Sequence, residues 1–317
     1  MPAVREDAVL TQVLGIQTYT YGLYICAGLA MAALMLWLLS RHLRLKEGTA
    51  PVQMALSLVL GLILSRVFYG LLDETLGYVM PVWAMVRLNT GGYSLYGALA
   101  GACLAAVVAA KIVKEKPARC LDVLAPAFLA FTACERLGER WIETFGLSRG
   151  LTLEVFFQPW IAVVDDYETW FLMTWRIEFV IAVLLCVILT IKLLKPHRDG
   201  NIFLMYMLLF GATQVIMESL RYDGHMTVRS FVRMEQILSM VLLGVAVIIL
   251  AVRNWNKRRA LALAVLISIP VVTGIAVGIE FMIDRTDISR LLLYAVFIIL
   301  VAVPAVLGFR LMKEDKA

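Results

Sequence analysis

The stretch GGYSLYGALAGACLAAVVAA, residues 91–110, joins a glycine-rich segment to a continuous apolar run. Glycine is costly inside a helix and is used where a backbone bends or where something approaches closely. Gly97 and Gly101 are four residues apart, which is the spacing of small residues on closely packed membrane helices. Helix packing and the approach of a ligand are both consistent with this spacing. The stretch predicts a membrane-spanning helix that begins at a glycine-rich segment.

The composition of the whole chain is that of a membrane protein. Hydrophobic residues make up 62% of the sequence and the mean hydropathy is +0.85, whereas soluble domains are about half apolar. A helix needs about 20 apolar residues to cross a bilayer core. Nine runs are long enough, near 19–40, 53–72, 93–112, 119–135, 175–194, 201–220, 234–252, 260–283 and 289–311. With no alternation typical of a β-barrel, the sequence predicts an all-α, polytopic helical membrane bundle.

Positively charged residues predict how this bundle is oriented. Lys and Arg concentrate in alternate connections, at 41–48, 111–119, 192–198, 253–259 and 310–316. Because such segments stay in the cytoplasm, we expect the N-terminus outside and the C-terminus inside. The formal net charge of +5 is explained by this asymmetry. The charge therefore gives no reason to expect a nucleic acid as partner.

Ionisable residues lie at or near the predicted outer ends of several runs. They are Arg136, Glu139, Arg176, Glu178, Glu218 and Arg221, with Arg66 deeper but still in the outer half. Ionisable side chains within membrane spans indicate a functional site, although interfacial salt bridges and snorkelling side chains are the alternative for any one of them. Several arginines toward one leaflet suit a phosphate, because the guanidinium group is always charged and binds in a bidentate manner. The sequence therefore predicts a site for a phospholipid head group.

Neither a metal nor a cofactor is expected. The five cysteines include no pair separated by two residues, and the chain has only three histidines. Single cysteines in or near membrane spans usually act as small packing residues, so they indicate neither a metal site nor a disulfide framework.

Seven short motifs follow one another from about residue 19 to 250. They are Tyr21-Gly22-Leu23, Arg66 within SRVFYG, Gly91, Gly92, Ser94, Gly97 and Gly101 within GGYSLYGALAG, Asp122 with Pro126, Arg136 with Gly138, Glu218 with Arg221, and MEQILS from Met234. In this order and at this spacing they resemble the prolipoprotein diacylglyceryl transferase family.

The resemblance implies a seven-span core, to which this chain adds two spans. It implies transfer of a diacylglyceryl group from phosphatidylglycerol to the cysteine thiol of a prolipoprotein, with release of glycerol phosphate. The expected place is the bacterial cytoplasmic (inner) membrane, with the site facing the outer leaflet. The catalytic candidates are Tyr21, Tyr96, Arg136, Glu139 and Glu218, and the candidates for binding the lipid and its phosphate are Arg66, Arg136, Arg221, Gly91, Gly92, Ser94, Gly97 and Gly138.

Several positions depart from the family pattern. Tyr96 replaces the hallmark histidine, Glu139 replaces an asparagine and Gln214 replaces an arginine. A neutral tyrosine is a poor proton acceptor, because its pKa is near 10. Glu139, Glu143, Glu218 and His225 remain as alternatives for the base.

The sequence divides into a transferase-like core, residues 1–255, and a two-span C-terminal extension, residues 256–317.

Two other functions compete with transfer to a prolipoprotein. One is an altered paralogue that binds phosphatidylglycerol and uses another acceptor, or a lipid-binding or assembly protein without enzymatic activity. The other is a transporter or channel. It is disfavoured because the sequence shows no internal repeat, no matching pair of broken spans and no acidic relay at mid-bilayer.

Overall fold

The computed structural model describes residues 9–13, 16–72, 92–142, 146–151, 153–165, 167–222, 227–228, 232–286 and 288–314. Within these residues the chain forms nine α-helices. They are α1 Thr20–His42, α2 Thr49–Leu72, α3 Leu95–Val113, α4 Pro117–Gly138, α5 Thr174–Leu193, α6 Asn201–Leu220, α7 Met234–Asn254, α8 Arg259–Arg285 and α9 Arg290–Glu314.

All nine apolar runs of the sequence are helical, which confirms the prediction of an all-α polytopic membrane bundle. Among the described residues, seven helices are long and apolar enough to cross a membrane, namely α1, α2, α3, α6, α7, α8 and α9. The remaining two, α4 and α5, carry charged residues near their ends. The orientation of the termini stays a prediction.

Short antiparallel strands lie before α1 and in some connections between helices. They are β1 Val9–Val13, β2 Ile16–Tyr19, β3 Leu147–Gly150, β4 Ala162–Val164, β5 Trp170–Met173, β6 Thr227–Val228 and β7 Val232–Arg233. The strands β1 and β2 form one pair, β6 and β7 form another, and the third sheet has the order β3-β5-β4. The sequence analysis did not predict these strands, since runs of two to five residues carry little periodic signal.

The chain divides into two compact units. The first comprises Met1–Arg44, Ala125–Ile191 and Leu220–Gly224, and the second comprises Leu45–Leu124, Lys192–Ser219 and His225–Ala317. The boundary falls inside α4 and near the end of α6.

In the first unit, small residues bring α1 against α4. A Cβ atom added to Gly28 would lie 3.0 Å from the carbonyl oxygen of Phe131. A Cβ atom on Gly138 would lie 2.9 Å from the Cδ2 atom of Tyr21. These contacts leave no room for a larger side chain without a shift of a neighbour. The two glycines therefore hold Tyr21 next to the C-terminal end of α4.

In the second unit, the glycines of the opening stretch pack α3 against α2. A Cβ atom on Gly97 would lie 2.4 Å from the carbonyl oxygen of Leu64, and one on Gly101 would lie 2.3 Å from that of Leu60. Both contacts are to backbone atoms, which cannot turn aside as a flexible side chain can. Of the two interpretations of this spacing, helix packing accounts for both glycines.

The start of α6 in the second unit is fixed by a carboxylate from α4. Asp122 Oδ2 accepts a hydrogen bond from the backbone nitrogen of Gly200 at 2.6 Å, and Oδ1 accepts one from Phe203 at 2.9 Å. Helices begin with N–H groups that have no partner within the helix, and the Asp122 carboxylate accepts hydrogen bonds from such groups. Its negative charge also interacts favourably with the positive end of the helix dipole. The Nε2 atom of His197 lies 3.7 Å from Asp122 Oδ2. Interaction with the Asp122 carboxylate raises the pKa of His197 above its ordinary value.

We predict that Gly101→Ala lowers the thermal unfolding midpoint of the protein in detergent. Overpacking a tight contact costs about 1–3 kcal/mol of the free energy of unfolding. The matched control is Gly274→Ala in α8, because a Cβ atom there meets nothing within 4 Å. The control variant should be as stable as the wild type or slightly more stable, since alanine favours helix more than glycine does. Equal stability of the two variants would contradict the packing of α3 against α2.

We also predict a pH-dependent contribution of His197 to stability. A histidine whose pKa is raised by folding stabilises the protein fully below its unfolded pKa of about 6.5. That contribution is lost as the pH rises through the higher pKa of the folded state. The thermal midpoint of the wild type should therefore fall between about pH 5.5 and pH 8.5 relative to that of His197→Gln. His42→Gln, at an exposed position, is the control and should retain the wild-type dependence. Identical pH profiles of His197→Gln and the wild type would refute this role.

Candidate functional site

Five ionisable side chains form a buried cluster in the first unit, which we call the charge cluster. They are Glu135, Arg136, Glu139, Glu178 and Arg221. Arg136 Nε lies 2.7 Å from Glu178 Oε2 and 3.5 Å from Glu135 Oε2, and Arg136 Nη1 donates a hydrogen bond to Glu139 Oε1. Arg221 Nη2 donates to the same Glu139 Oε1 at 2.9 Å, and its Nη1 donates to Glu178 Oε1 at 3.3 Å. Two guanidinium groups are thus joined through two shared carboxylates.

Three separate elements bring these groups together. Glu135 and Arg136 lie in the last turn of α4, and a 3₁₀ turn, Glu139–Trp141, continues directly from it. Arg136 and Glu139 are three residues apart and therefore share a face. Glu178 comes from the first turns of α5.

Arg221 is held by backbone pairing rather than by a helix. It follows the last residue of α6 and forms an isolated antiparallel bridge with Ser148 of β3. The next residue, Tyr222, donates its backbone N–H to the carbonyl oxygen of Leu147 at 2.8 Å. The small sheet that the sequence analysis missed therefore positions one of the two arginines.

The charge cluster carries more negative than positive charge. If every group is ionised, three carboxylates face two guanidiniums, which leaves one excess negative charge. Arg136 is 4% exposed, Arg221 is 3% exposed and Glu178 is 1% exposed. Buried charges are tolerated only when they are paired, because desolvation costs several kcal/mol per ion. The arginines are therefore already neutralised by protein carboxylates before any anion binds.

Glu139 uses its two oxygens differently. Its Oε1 accepts from both arginines, whereas its buried Oε2 accepts no hydrogen bond from a described residue. A Cβ atom on Gly146 would lie 2.8 Å from this Oε2, and the backbone of Gly146 has a φ of +65°. Glycine is therefore required at Gly146 both for the left-handed backbone and for the space beside Glu139. Buried acceptors without a partner are rare and are often functional.

Tyr21 joins the charge cluster from α1. Its hydroxyl donates a hydrogen bond to Glu135 Oε1 at 3.2 Å. Sequence reasoning selected Tyr21 but missed Glu135. The signal was present in CERLGER, where Glu135 is adjacent to Arg136 and four residues before Glu139, so that it shares the face of Glu139.

The second unit holds the residues of the glycine-rich segment. Arg66 is 2% exposed, and its Nη1 donates to the carbonyl oxygen of Gly92 at 2.7 Å. Its guanidinium carbon lies 5.8 Å from the ring centre of Tyr69 and 5.6 Å from that of Tyr93, within the range of cation–π attraction. Ser94 caps α3 by accepting from the backbone nitrogen of Gly97 at 3.3 Å. The contacts of Arg66 and Ser94 thus order the start of α3.

Tyr96 is buried in the second unit and bonded to α7. Its hydroxyl forms a hydrogen bond with Ser239 Oγ. Ser239 Oγ donates its own proton to the carbonyl oxygen of Glu235 at 2.7 Å. Because a hydroxyl has one proton to donate, Tyr96 is the donor and Ser239 the acceptor. Sequence reasoning did not select Ser239 as a partner of Tyr96, although the serine belongs to the MEQILS motif.

The remaining candidates are distributed as follows. Glu218 and Gln214 are buried on α6 within the second unit, and the structure places Tyr21, Arg136, Glu139 and Arg221 in one cluster in the first. Gly91, Glu143 and His225 lie outside the described residues. Among the described residues no group of three His, Cys, Asp or Glu side chains is arranged to hold a metal ion.

The sequence matches the family model described as prolipoprotein diacylglyceryl transferase over residues 8–252. The chain belongs to the prolipoprotein diacylglyceryl transferase family. Three similar proteins are named phosphatidylglycerol–prolipoprotein diacylglyceryl transferase. The one from Enterococcus faecalis is 27% identical over 266 residues, covering 81% of this chain and 94% of that protein. The one from Shouchella clausii is 26% identical, covering 80% and 90%, and the one from Listeria innocua is 26% identical, covering 76% and 87%.

Membership of the diacylglyceryl transferase family makes the chain an enzyme of the transferase class and a bacterial integral membrane protein. The family match contains every residue of the charge cluster and also Arg66, Tyr96 and Glu218. It ends at residue 252, before α8 begins at Arg259.

We predict that Arg221→Met lowers the free energy of unfolding by about 3–5 kcal/mol, because it leaves buried carboxylates without a counter-charge. Methionine keeps most of the side-chain volume, so the loss reports charge rather than a cavity. The matched control is Arg140→Met, at an exposed position four residues after Arg136. The double variant with Arg221→Met and Glu139→Gln should have a higher thermal midpoint than Arg221→Met alone, because it contains one buried carboxylate fewer. A double variant less stable than the single one would contradict the pairing described for the charge cluster.

Proposed function

We propose that this protein transfers the diacylglyceryl group of phosphatidylglycerol to the cysteine thiol of a prolipoprotein, releasing glycerol phosphate. The supporting observation is the charge cluster, which lies within the family match and holds two arginines and three carboxylates in a buried site. We place the reaction at the outer leaflet of the bacterial cytoplasmic membrane, since the Lys and Arg of the sequence mark the opposite side as cytoplasmic.

The reaction exchanges one bond to carbon for another. A thiolate sulfur forms a bond to the glycerol carbon of the diacylglyceryl group, and the bond between that carbon and the phosphate oxygen breaks. The electron pair of the broken bond stays on the phosphate, which leaves as glycerol phosphate. The thiol proton needs an acceptor, because the thiolate is the nucleophile and free cysteine has a pKa of about 8.5.

Arg136 and Arg221 are assigned to the phosphate. Both present fixed guanidinium groups, and such groups stabilise the charge that develops on a leaving phosphate. Their present partners are protein carboxylates, so binding a phosphodiester requires that part of this pairing be given up. Gly138, one residue before Glu139, allows α1 to pack close to this end of α4.

The net charge of the charge cluster couples the binding of the phosphate to the uptake of a proton. A phosphodiester added to the fully ionised cluster would bring its net charge from one excess negative to two. Burying a second uncompensated charge in a site of low dielectric constant is costly. Protonation of one carboxylate returns the net charge to one excess negative, the value before the phosphate binds. The thiol of the acceptor supplies that proton, so thiolate formation and phosphate binding favour each other.

Glu139 is assigned as the proton acceptor. Its Oε2 accepts no hydrogen bond from a described residue, while its Oε1 is fixed by both arginines. When the phosphate replaces Glu139 as the hydrogen-bond acceptor of both arginines, the carboxylate of Glu139 loses its stabilising partners. It then binds a proton more readily. Tyr21 supports the same cluster through Glu135. The assignments of Arg66, Tyr96, Glu218, Gly91, Gly92, Ser94 and Gly97 stay predictions from the sequence.

A second function is favoured by one observation. The hydroxyl proton of Tyr96, at the hallmark histidine position, is directed at Ser239. A tyrosine so engaged does not act as a base, which suits a paralogue that binds phosphatidylglycerol and uses another acceptor, or that performs no transfer. Such a protein would bind the lipid without lipidating a thiol.

The test is complementation of a transferase-depleted bacterium, together with transfer from labelled phosphatidylglycerol to a peptide containing a lipobox cysteine. The wild type should restore lipoprotein modification, and Arg136→Ala should not. Absence of transfer by the wild type, despite its presence in the membrane and its binding of phosphatidylglycerol, would overturn transfer in favour of the second function.

We predict that Glu139→Gln lowers the rate constant of transfer by about 10²–10⁴-fold, the usual contribution of a general base. Its rate should rise with pH toward that of the wild type as the thiol ionises without help. Glu154→Gln is the matched control, because this glutamate is exposed in the same unit.

A double variant gives a sharper form of the test. Glu139→Asn combined with Tyr96→His restores the family residues at both positions. We expect the double variant to be much more active than Glu139→Asn alone, because the histidine supplies a base. Full activity of Glu139→Gln at neutral pH would refute the assignment of Glu139.

A further inference from the structure

The two C-terminal helices, α8 and α9, form hydrogen bonds with residues of α7 and α6 that lie within the family match. Gln236 Nε2, in the first turn of α7, donates to Glu280 Oε1 of α8 at 2.7 Å. Tyr294 of α9 donates its hydroxyl proton to the carbonyl oxygen of Ser219, at the end of α6, at 3.1 Å. Both bonds lie where α6 and α8 end and where α7 and α9 begin. The extension therefore reaches one end of the second unit at two points.

Packing agrees with these bonds. A Cβ atom on Gly308 of α9 would lie 3.0 Å from a methyl group of Leu208 on α6 and 3.6 Å from one of Leu250 on α7. Glu280 itself is only 4% exposed. A carboxylate within a membrane-spanning helix is costly, so it normally faces the protein interior and has a partner there. The extension is thus packed into the second unit rather than attached loosely to it.

The first turns of α7 link Glu280 to Tyr96. Gln236 and Ser239 are three residues apart and share a face of α7. Gln236 bonds Glu280 and also donates to the carbonyl oxygen of Val215 on α6 at 3.3 Å. Ser239 accepts the hydroxyl proton of Tyr96. A shift of this end of α7 therefore moves the partner of Tyr96.

We propose that the C-terminal extension positions Tyr96. Glu280 of the extension accepts a hydrogen bond from Gln236, and Ser239, the partner of Tyr96, lies on the same face of α7 as Gln236. This proposal rests on the proposed function only in that Tyr96 occupies the position of the family's hallmark histidine. Glu280 is a positioning residue and does not touch the substrate. The family match ends before α8, so the extension supplies a support that lies beyond the matched residues.

The kinetic experiment compares Glu280→Ala, Glu280→Gln and Thr273→Ala in transfer from labelled phosphatidylglycerol to a lipobox peptide. Glu280→Ala should lower kcat by about tenfold, the effect of roughly 1.4 kcal/mol, with little change in KM for the peptide. Glu280→Gln keeps an acceptor of the same length and should restore most of kcat. Thr273→Ala is the matched control, because among the described residues the hydroxyl of Thr273 bonds to the carbonyl oxygen of Ile269, in its own helix, and to no other helix.

A double variant tests whether the effect passes through Tyr96. In the background of Tyr96→Phe, which lacks the hydroxyl, Glu280→Ala should have no further effect on kcat. Independent effects of the two substitutions, multiplying in the double variant, would show that Glu280 acts elsewhere and would overturn the proposal.

A measurement without catalysis separates this proposal from the proposed function. The protein is prepared with 3-fluorotyrosine, and the ¹⁹F signal of Tyr96 is assigned by its loss in Tyr96→Phe. Glu280→Ala should shift or broaden this signal, and Thr273→Ala should leave it unchanged. If the wild type lacks transfer activity but the signal responds to Glu280→Ala, the positioning stands while the proposed function fails. An unmoved Tyr96 signal in folded Glu280→Ala would overturn the positioning, whatever the activity.

Discussion

One carboxylate oxygen organises the charged part of the first unit. Glu139 Oε1 accepts hydrogen bonds from both Arg136 and Arg221, and Glu178 closes the arrangement from the opposite helix. In a site from which water is excluded, each guanidinium group is tolerated only because these carboxylates pair with it. The end of α4, the start of α5 and the segment after α6 are therefore held to one geometry. Close packing of Tyr21 against Gly138 adds α1 to the same arrangement.

Under the proposed function, two departures from the family pattern compensate for each other. The asparagine position became Glu139, which adds a carboxylate beside the arginines, while the histidine position became Tyr96, which removes a base. In the proposed reaction the added carboxylate takes the proton that the histidine no longer takes. The same carboxylate neutralises the arginines before the lipid arrives, so the proton and the phosphate bind together. A site with a neutral residue at that position would present its arginines without such coupling.

The sequence predicted the elements more readily than the contacts between them. Nine helices follow from hydropathy, because each run is as long as a bilayer requires, and the pairing of Arg136 with Glu139 follows from their spacing. The bridge of Ser148 to Arg221 could not be predicted, since it joins residues far apart in the chain through a strand of four residues. The bonds of Tyr96 to Ser239 and of Gln236 to Glu280 likewise depend on which helices become neighbours. A single sequence does not contain that information as a local pattern.

The proposed reaction requires Arg136 and Arg221 to exchange their carboxylate partners for the phosphate of a lipid. The most direct measurement is an experimental structure of the protein with a phosphonate analogue of phosphatidylglycerol, in which a methylene group replaces the oxygen of the bond to be broken. We expect phosphonate oxygens within about 2.7–2.9 Å of guanidinium nitrogens of both arginines. A phosphonate bound elsewhere, with both arginines still fully paired to Glu139 and Glu178, would contradict it.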